Sequence, residues 1–296
     1  MRLLGTGLPP TLSGVRKDVR VVDGWIGFAT GQPWTSLEPL RAQLRQPSSW
    51  PVSYLFGDTA DRSRDDPIAS TIRGMDRHGI EIGMVQLEDD VAIRAVREHP
   101  DRFAGVLHVD PNRITPAVHA IRDAAQLYGI KAVYSFPAGC NPQVPVDDRR
   151  HYPIYQACID LDLAMIMNAG IAGPLVPSSS QDVARFEQVC YDFPDLRIVM
   201  CHGAEPSEAL AVKLMLKWPG LHFMTSGFAP KYYPKAILEY ANTRGAEKVI
   251  YGGYYPFGLS LDRIFDELAR VDLRERVWPK FLSDNARRVF RLSDAA

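Results

Sequence analysis

His202, in the run His202-Gly203-Ala204-Glu205-Pro206, is the residue of this chain best suited to move a proton near neutral pH. A free imidazole titrates at about 6.5, and the glycine after it lets the backbone turn where a strand ends. Other side chains with chemistry to offer recur at the ends of short apolar runs. They are Asp23 and Trp25, then Glu88, Asp89 and Asp90, then His108 and Asp110, followed by Tyr134 and Ser135. Asn168, Cys201 and Glu205, Thr225 and Ser226, and the pair Tyr254 and Tyr255 complete the set. Tyr254 can donate a phenolic hydrogen bond to a carboxylate or a developing oxyanion, whereas Tyr255, just before Pro256, reads as packing. Asn168 either orients a ligand through its amide or satisfies backbone groups at a strand end. Asp23, Tyr134 and Glu205 are further candidates for contact with a substrate. Cys201 is set aside as a nucleophile: neighbours on a strand face opposite sides, so with His202 pointing inward Cys201 points towards the helices.

The elements that must position these residues are legible as alternation. Apolar, strand-like runs fall at 19–28, 80–87, 103–110, 130–136, 163–169, 196–202, 221–227 and 248–253. Between them lie amphipathic stretches such as 114–129, with Gly129 as a stop, 180–193 and 260–271. Eight strands with helical crossovers predict an α/β fold, a single (β/α)8 TIM barrel spanning 1–296, with reacting groups at the C-terminal ends of the strands. A chain of 296 residues, 46% hydrophobic, can bury one such core. Asp110, ahead of Pro111 and a helical stretch, is expected to cap rather than catalyse. Residues 29–66 lack a regular pattern but carry Trp34, Trp50, Tyr54 and Phe56. A loop of that length after the first strand predicts a lid over the site, with Trp34 reaching the substrate.

A net charge of −1 without a dense run of Lys or Arg argues against nucleic acid as a partner. No apolar stretch is long enough to span a membrane, and the N-terminal apolar run is short for a signal peptide. Cys140, Cys158, Cys190 and Cys201 form no CxxC pair, so neither a zinc knuckle nor a disulfide framework is expected and a reduced, cytoplasmic setting is. A small-molecule substrate is the expected partner, and the sequence admits a homo-oligomer.

Several segments together carry a family likeness: HPDRFAGVLHVDP, NAGIAGP, VMCHGAEP, VIYGGYYPFGL and FLSDNARRVF. In order and spacing, from Val21 to about Leu292, the chain resembles the amidohydrolase-related superfamily, in the branch of aminocarboxymuconate-semialdehyde and resorcylate decarboxylases. The resemblance implies a site made of an HxH pair after the first strand, a fifth-strand histidine, a sixth-strand histidine at the catalytic centre and an eighth-strand aspartate, in which the first-, fifth- and eighth-strand residues hold a metal. Here those positions hold Trp25 and Gly27, Asn168, His202 and Tyr254, so one imidazole remains and no metal or other cofactor is expected. Trp25 then either fills the emptied site, the cheaper arrangement, or stacks on a ligand. The expected function is metal-independent: decarboxylation or carbon–carbon cleavage, or hydrolysis, of a small carboxylated or aromatic substrate. His202 is the expected general acid or base and Tyr254 its partner. The alternative is a catalytically inactive descendant that binds a ligand or a protein.

Overall fold

In the computed structural model the described residues are 19–30, 40, 43–44 and 66–293. Most of 29–66, including Trp34, Trp50, Tyr54 and Phe56, lies outside them, and the expected lid with it. Eight parallel strands follow one another around a single sheet, each paired with the next in sequence. They are β1 (Val21–Asp23), β2 (Ile80–Gln86), β3 (Phe103–His108), β4 (Ala132–Ser135), β5 (Ala164–Asn168), β6 (Ile198–Cys201), β7 (Leu221–Met224) and β8 (Val249–Ile250). Among the described residues the helices are α1 (Pro67–His78), α2 (Asp90–Glu98), α3 (Ile114–Tyr128), α4 (Tyr152–Asp160), α5 (Phe186–Asp192), α6 (Glu208–Lys217), α7 (Lys235–Ala241), α8 (Leu261–Leu268) and α9 (Asn285–Phe290). None is long and apolar enough to cross a membrane. This is the (β/α)8 barrel that the alternation predicts.

Local chemistry explains the boundaries. Gly129 ends α3 in the left-handed conformation, with its N–H returned to the Ala125 carbonyl. Asp89 caps α2 by accepting from Ala92 N at 2.8 Å, and Asp110 caps its turn by accepting from Asn112 N at 2.9 Å. The predicted helix at 180–193 shrinks to α5 because two short 3₁₀ turns occupy its first half. β1 and β8 are shorter than their apolar runs because both are interrupted where the barrel closes.

That closure is a seam of individual bonds instead of a regular ladder. Gly24 N donates to Tyr251 O at 3.0 Å, Tyr254 N to Trp25 O at 2.8 Å, and Gly27 N to Tyr255 O at 2.7 Å. Asp23, wholly buried, ties the two sides together: its Oδ1 accepts from Gly253 N at 2.7 Å and from Trp25 N at 3.0 Å. A Cβ on Gly253 would lie 2.5 Å from Asp23 Oδ2 and 2.6 Å from the Tyr251 hydroxyl oxygen, so only glycine fits. Asp23, which the sequence reading expected at a substrate, is thus a buried residue of the seam with backbone partners on both sides of the join.

Burial pushes the Asp23 carboxyl up to about 7, against the pull of the Gly253 and Trp25 amides and the Tyr251 phenol. A folded-state pKa above the unfolded one gives stability that is full below about 4 and lost as pH rises through 7. Asp23→Asn is therefore expected to flatten the pH dependence of unfolding free energy over that window. Asp23→Ala, which orphans two buried N–H groups at about 1–3 kcal/mol each, is expected to destabilise at every pH. Denaturant titrations across pH check both.

Candidate active site

At the C-terminal ends of the strands four rings meet. The Trp25 indole stands edge-on to Tyr134 at 4.9 Å and to His202 at 4.6 Å between centroids, and lies 6.3 Å from Tyr254. His202 is in turn edge-on to Tyr254 at 4.8 Å. Such arrangements set the positive rim of one ring on the negative face of another. Tyr134, Asn168 and Cys201 come from successive strands: Tyr134 Oη donates to Asn168 Oδ1 at 2.8 Å, and Cys201 Sγ donates to the same oxygen at 3.5 Å.

Two of these residues owe their direction to unusual backbone. His202 and Tyr254 have φ of 60° and 67°, in the left-handed region that costs a non-glycine residue about 1–2 kcal/mol. The consequence corrects the reading of Cys201. Strand alternation ends at β6, so His202 and Cys201 both reach the strand-end cluster instead of facing opposite sides. Cys201 is still no nucleophile, since burial pushes its thiol well above its ordinary value and keeps it protonated.

The cluster carries little charge. Burial drives His202 down to about 3 and His108, whose ring lies 5.3 Å from that of Tyr134, down to about 4. Burial raises both Tyr134 and Tyr254, so the phenols remain donors. Glu88 is close enough to push the same two phenols further up, which brings a carboxylate from the end of β2 to the cluster. Nothing in local spacing distinguishes Glu88 from Asp89, which is spent on capping. Glu205 is half-buried in the loop after β6, and burial raises its carboxyl. The structure thus brings together Trp25, Tyr134, Asn168, His202 and Tyr254, takes Asp23 to the seam, and leaves Trp34 outside the described residues.

The amidohydrolase family model matches residues 50–292. Among solved structures, an uncharacterised TIM-barrel protein from Bordetella bronchiseptica is 22% identical, with a TM-score of 0.73 over 92% of this chain and 98% of that one. A 5-carboxyvanillate decarboxylase from Novosphingobium aromaticivorans, complexed with manganese and 4-hydroxy-3-methoxy-5-nitrobenzoic acid, is 16% identical, with a TM-score of 0.66 over 97% and 100%. A 4-oxalomesaconate hydratase from Rhodopseudomonas palustris is 17% identical, with a TM-score of 0.60 over 92% and 95%. At these identities the structures establish the shared fold. No curated protein matches the chain.

A neutral, half-buried histidine packed among aromatic rings has a measurable signature. With its folded pKa below the unfolded value, His202 contributes stability that is present above about 6.5 and lost as pH falls towards 3. The stability gap between wild type and His202→Asn is expected to narrow on acidification, by up to about 1.4 kcal/mol per pH unit. Paired denaturation curves between pH 7 and pH 4 read this directly.

Proposed function

The chain belongs to the amidohydrolase family, and on that premise we propose that it is an enzyme of this fold working without the family metal. Its substrate is a small carboxylated or aromatic molecule, cleaved by decarboxylation or another carbon–carbon scission, with hydrolysis as the other reaction of the same machinery. The observation that carries this reading is the convergence of His202, Tyr254, Tyr134 and Asn168 on one point at the strand ends.

The donor set supports metal independence. Around Trp25 the cluster offers the His202 imidazole, two phenols that burial keeps protonated, and an amide oxygen already accepting from Tyr134 and Cys201, with the His108 ring and Glu88 at its edge. Among the described residues no three His, Cys, Asp or Glu side chains come together as ligands. Divalent manganese or zinc needs three or four such donors, so the residues do not fit it.

The low basicity of His202 suits proton delivery. In the free protein it is neutral; a substrate carboxylate seated beside it supplies the missing counter-charge and raises its pKa, so the complex takes up a proton. In a decarboxylation the bond to the carboxylate breaks, CO₂ leaves, and the electron pair left on carbon collects that proton from the imidazolium. Tyr254, still a donor, hydrogen-bonds the negative charge that develops. General acid catalysis of this kind supplies about 10²- to 10⁴-fold.

A second reading has its own observation. The Trp25 ring packs directly on His202, Tyr134 and Tyr254 and is nearly inaccessible, as expected of a filled and inactive site. A thermal-shift screen of 5-carboxyvanillate, simpler hydroxybenzoates and their esters, followed by product analysis, separates the two. Turnover that survives chelation, with no stoichiometric manganese, zinc or iron by elemental analysis, is the expected result. Activity that disappears with a removed metal would overturn it, and ligand binding without turnover would favour the inactive reading. With a substrate in hand, His202→Asn is expected to lower turnover by roughly 10²-fold or more while the protein stays folded. Tyr254→Phe, which keeps the ring and loses one hydroxyl, is expected to cost less.

A further inference from the structure

The side of the barrel mouth built by β2 and β3 holds two polar groups whose hydrogen-bonding capacity is unmet. Side chains alternate along a strand, so Gln86 of β2 shares a face with Met84, and His108 of β3 shares one with Val106. The ladder pairs Gln86 with Val106 and His108 with Tyr134, which sets the carboxamide one layer beneath the imidazole on the face from which Tyr134 joins the cluster. Among the described residues neither Gln86 Oε1, which is sealed from solvent, nor either nitrogen of the half-buried His108 has a hydrogen-bond partner. The His108 ring lies 5.3 Å from that of Tyr134, whose hydroxyl is turned to Asn168. Among the described residues Trp25 makes ring contacts with Tyr134, His202 and Tyr254 and none with His108.

We infer that Gln86 and His108 form a neutral subsite that binds a hydroxyl group of the ligand. The inference rests on the reading that the strand-end cluster takes a small aromatic molecule, and it adds that molecule's orientation. A carboxamide can turn about its last bond to present oxygen or NH₂, and a neutral imidazole carries one donor and one acceptor, so the pair matches a group that both donates and accepts. A hydroxyl is such a group. Burial keeps His108 uncharged, so this wall offers dipoles without a counter-charge and suits a hydroxyl better than a carboxylate. In the sheet order His108 and His202 lie on either side of Tyr134, with His202 three strands further round. The ligand is therefore a ring whose hydroxyl points to β2 and β3 while the group to be cleaved, at the far end of the ring, lies beside His202 and Tyr254. A sealed amide atom without a partner destabilises the free protein, and binding of the hydroxyl relieves it.

The test is calorimetric titration of the full-length protein with benzoate and with 4-hydroxybenzoate, which differ by one hydroxyl. The wild type is expected to bind 4-hydroxybenzoate more tightly by about tenfold, the equivalent of one good hydrogen bond. His108→Phe, which keeps a ring against Tyr134, and Gln86→Leu, which keeps the bulk, are each expected to reduce that advantage to about threefold or less. An advantage that persists undiminished in both variants, equal binding of the two probes by the wild type, or no saturable binding of either probe would overturn the inference. A second measurement needs no ligand. Leucine has no polar atom to satisfy, so Gln86→Leu is expected to raise the thermal midpoint of the free protein, and a lowered midpoint would show that the carboxamide serves the fold and overturn the inference. Discrimination in binding without turnover of any benzoate would leave the subsite standing and sink the catalytic reading. Turnover that neither variant alters would sink the subsite and leave that reading intact.

Discussion

Closing an eight-stranded sheet on itself requires the first strand to meet the last, and here that meeting depends on one buried carboxylate. Asp23 gathers the amides of Gly253 and Trp25 onto a single oxygen, and the adjacent main-chain bonds between Gly24 and Tyr251, and between Trp25 and Tyr254, complete the join. A buried acid is costly to hold, and its raised pKa records that cost. What it secures is position. Trp25 and Tyr254 emerge from opposite sides of the seam beside the same imidazole, and the left-handed backbone of Tyr254 directs its ring there. The geometry of the strand-end cluster therefore follows from how the barrel closes.

Desolvation, more than any charge pair, sets the chemistry of that cluster. His202 and His108 are held neutral, the phenols are held protonated, and the cysteine beside Asn168 stays a thiol, each for the same reason of burial. A site with so few charges at rest stabilises a bound anion poorly until a proton arrives with it. On the proposed reading, where a metal would supply a permanent positive charge, the His202 imidazole supplies one only while the ligand is present. Such an imidazole, once charged, is a strong acid.

The fold is shared with a decarboxylase and a hydratase, and a shared fold constrains the reaction less than the strand-end residues do. Packing pulls the other way from catalysis here. A tryptophan set against the one imidazole improves the density of the barrel mouth and occupies space that a substrate needs. Which of the two prevailed is decided by whether Trp25 yields to a ligand, and its edge-on contacts to Tyr134 and His202 define what must be given up.

Much of the architecture was legible in the amino-acid order because it is local. Alternating runs announced eight strands, Gly129 announced the end of α3, and Asp110 announced a cap, each through backbone preferences spanning a few residues. His202 stood out by its residue type and the turn after it. Tertiary structure alone decided where side chains pointed once the strands stopped being regular. Asp23 went to the seam because its partners, Gly253 and Tyr251, lie more than two hundred residues away in sequence. Cys201 joined the cluster because the left-handed turn at His202 ended the alternation on which its outward direction was argued. The neutrality of the imidazole was equally out of reach, since its cause is the packing of Trp25, Tyr254 and Ser226 from three different strand ends. Periodicity and capping are written in neighbouring residues; burial is the work of residues brought together only when the barrel closes.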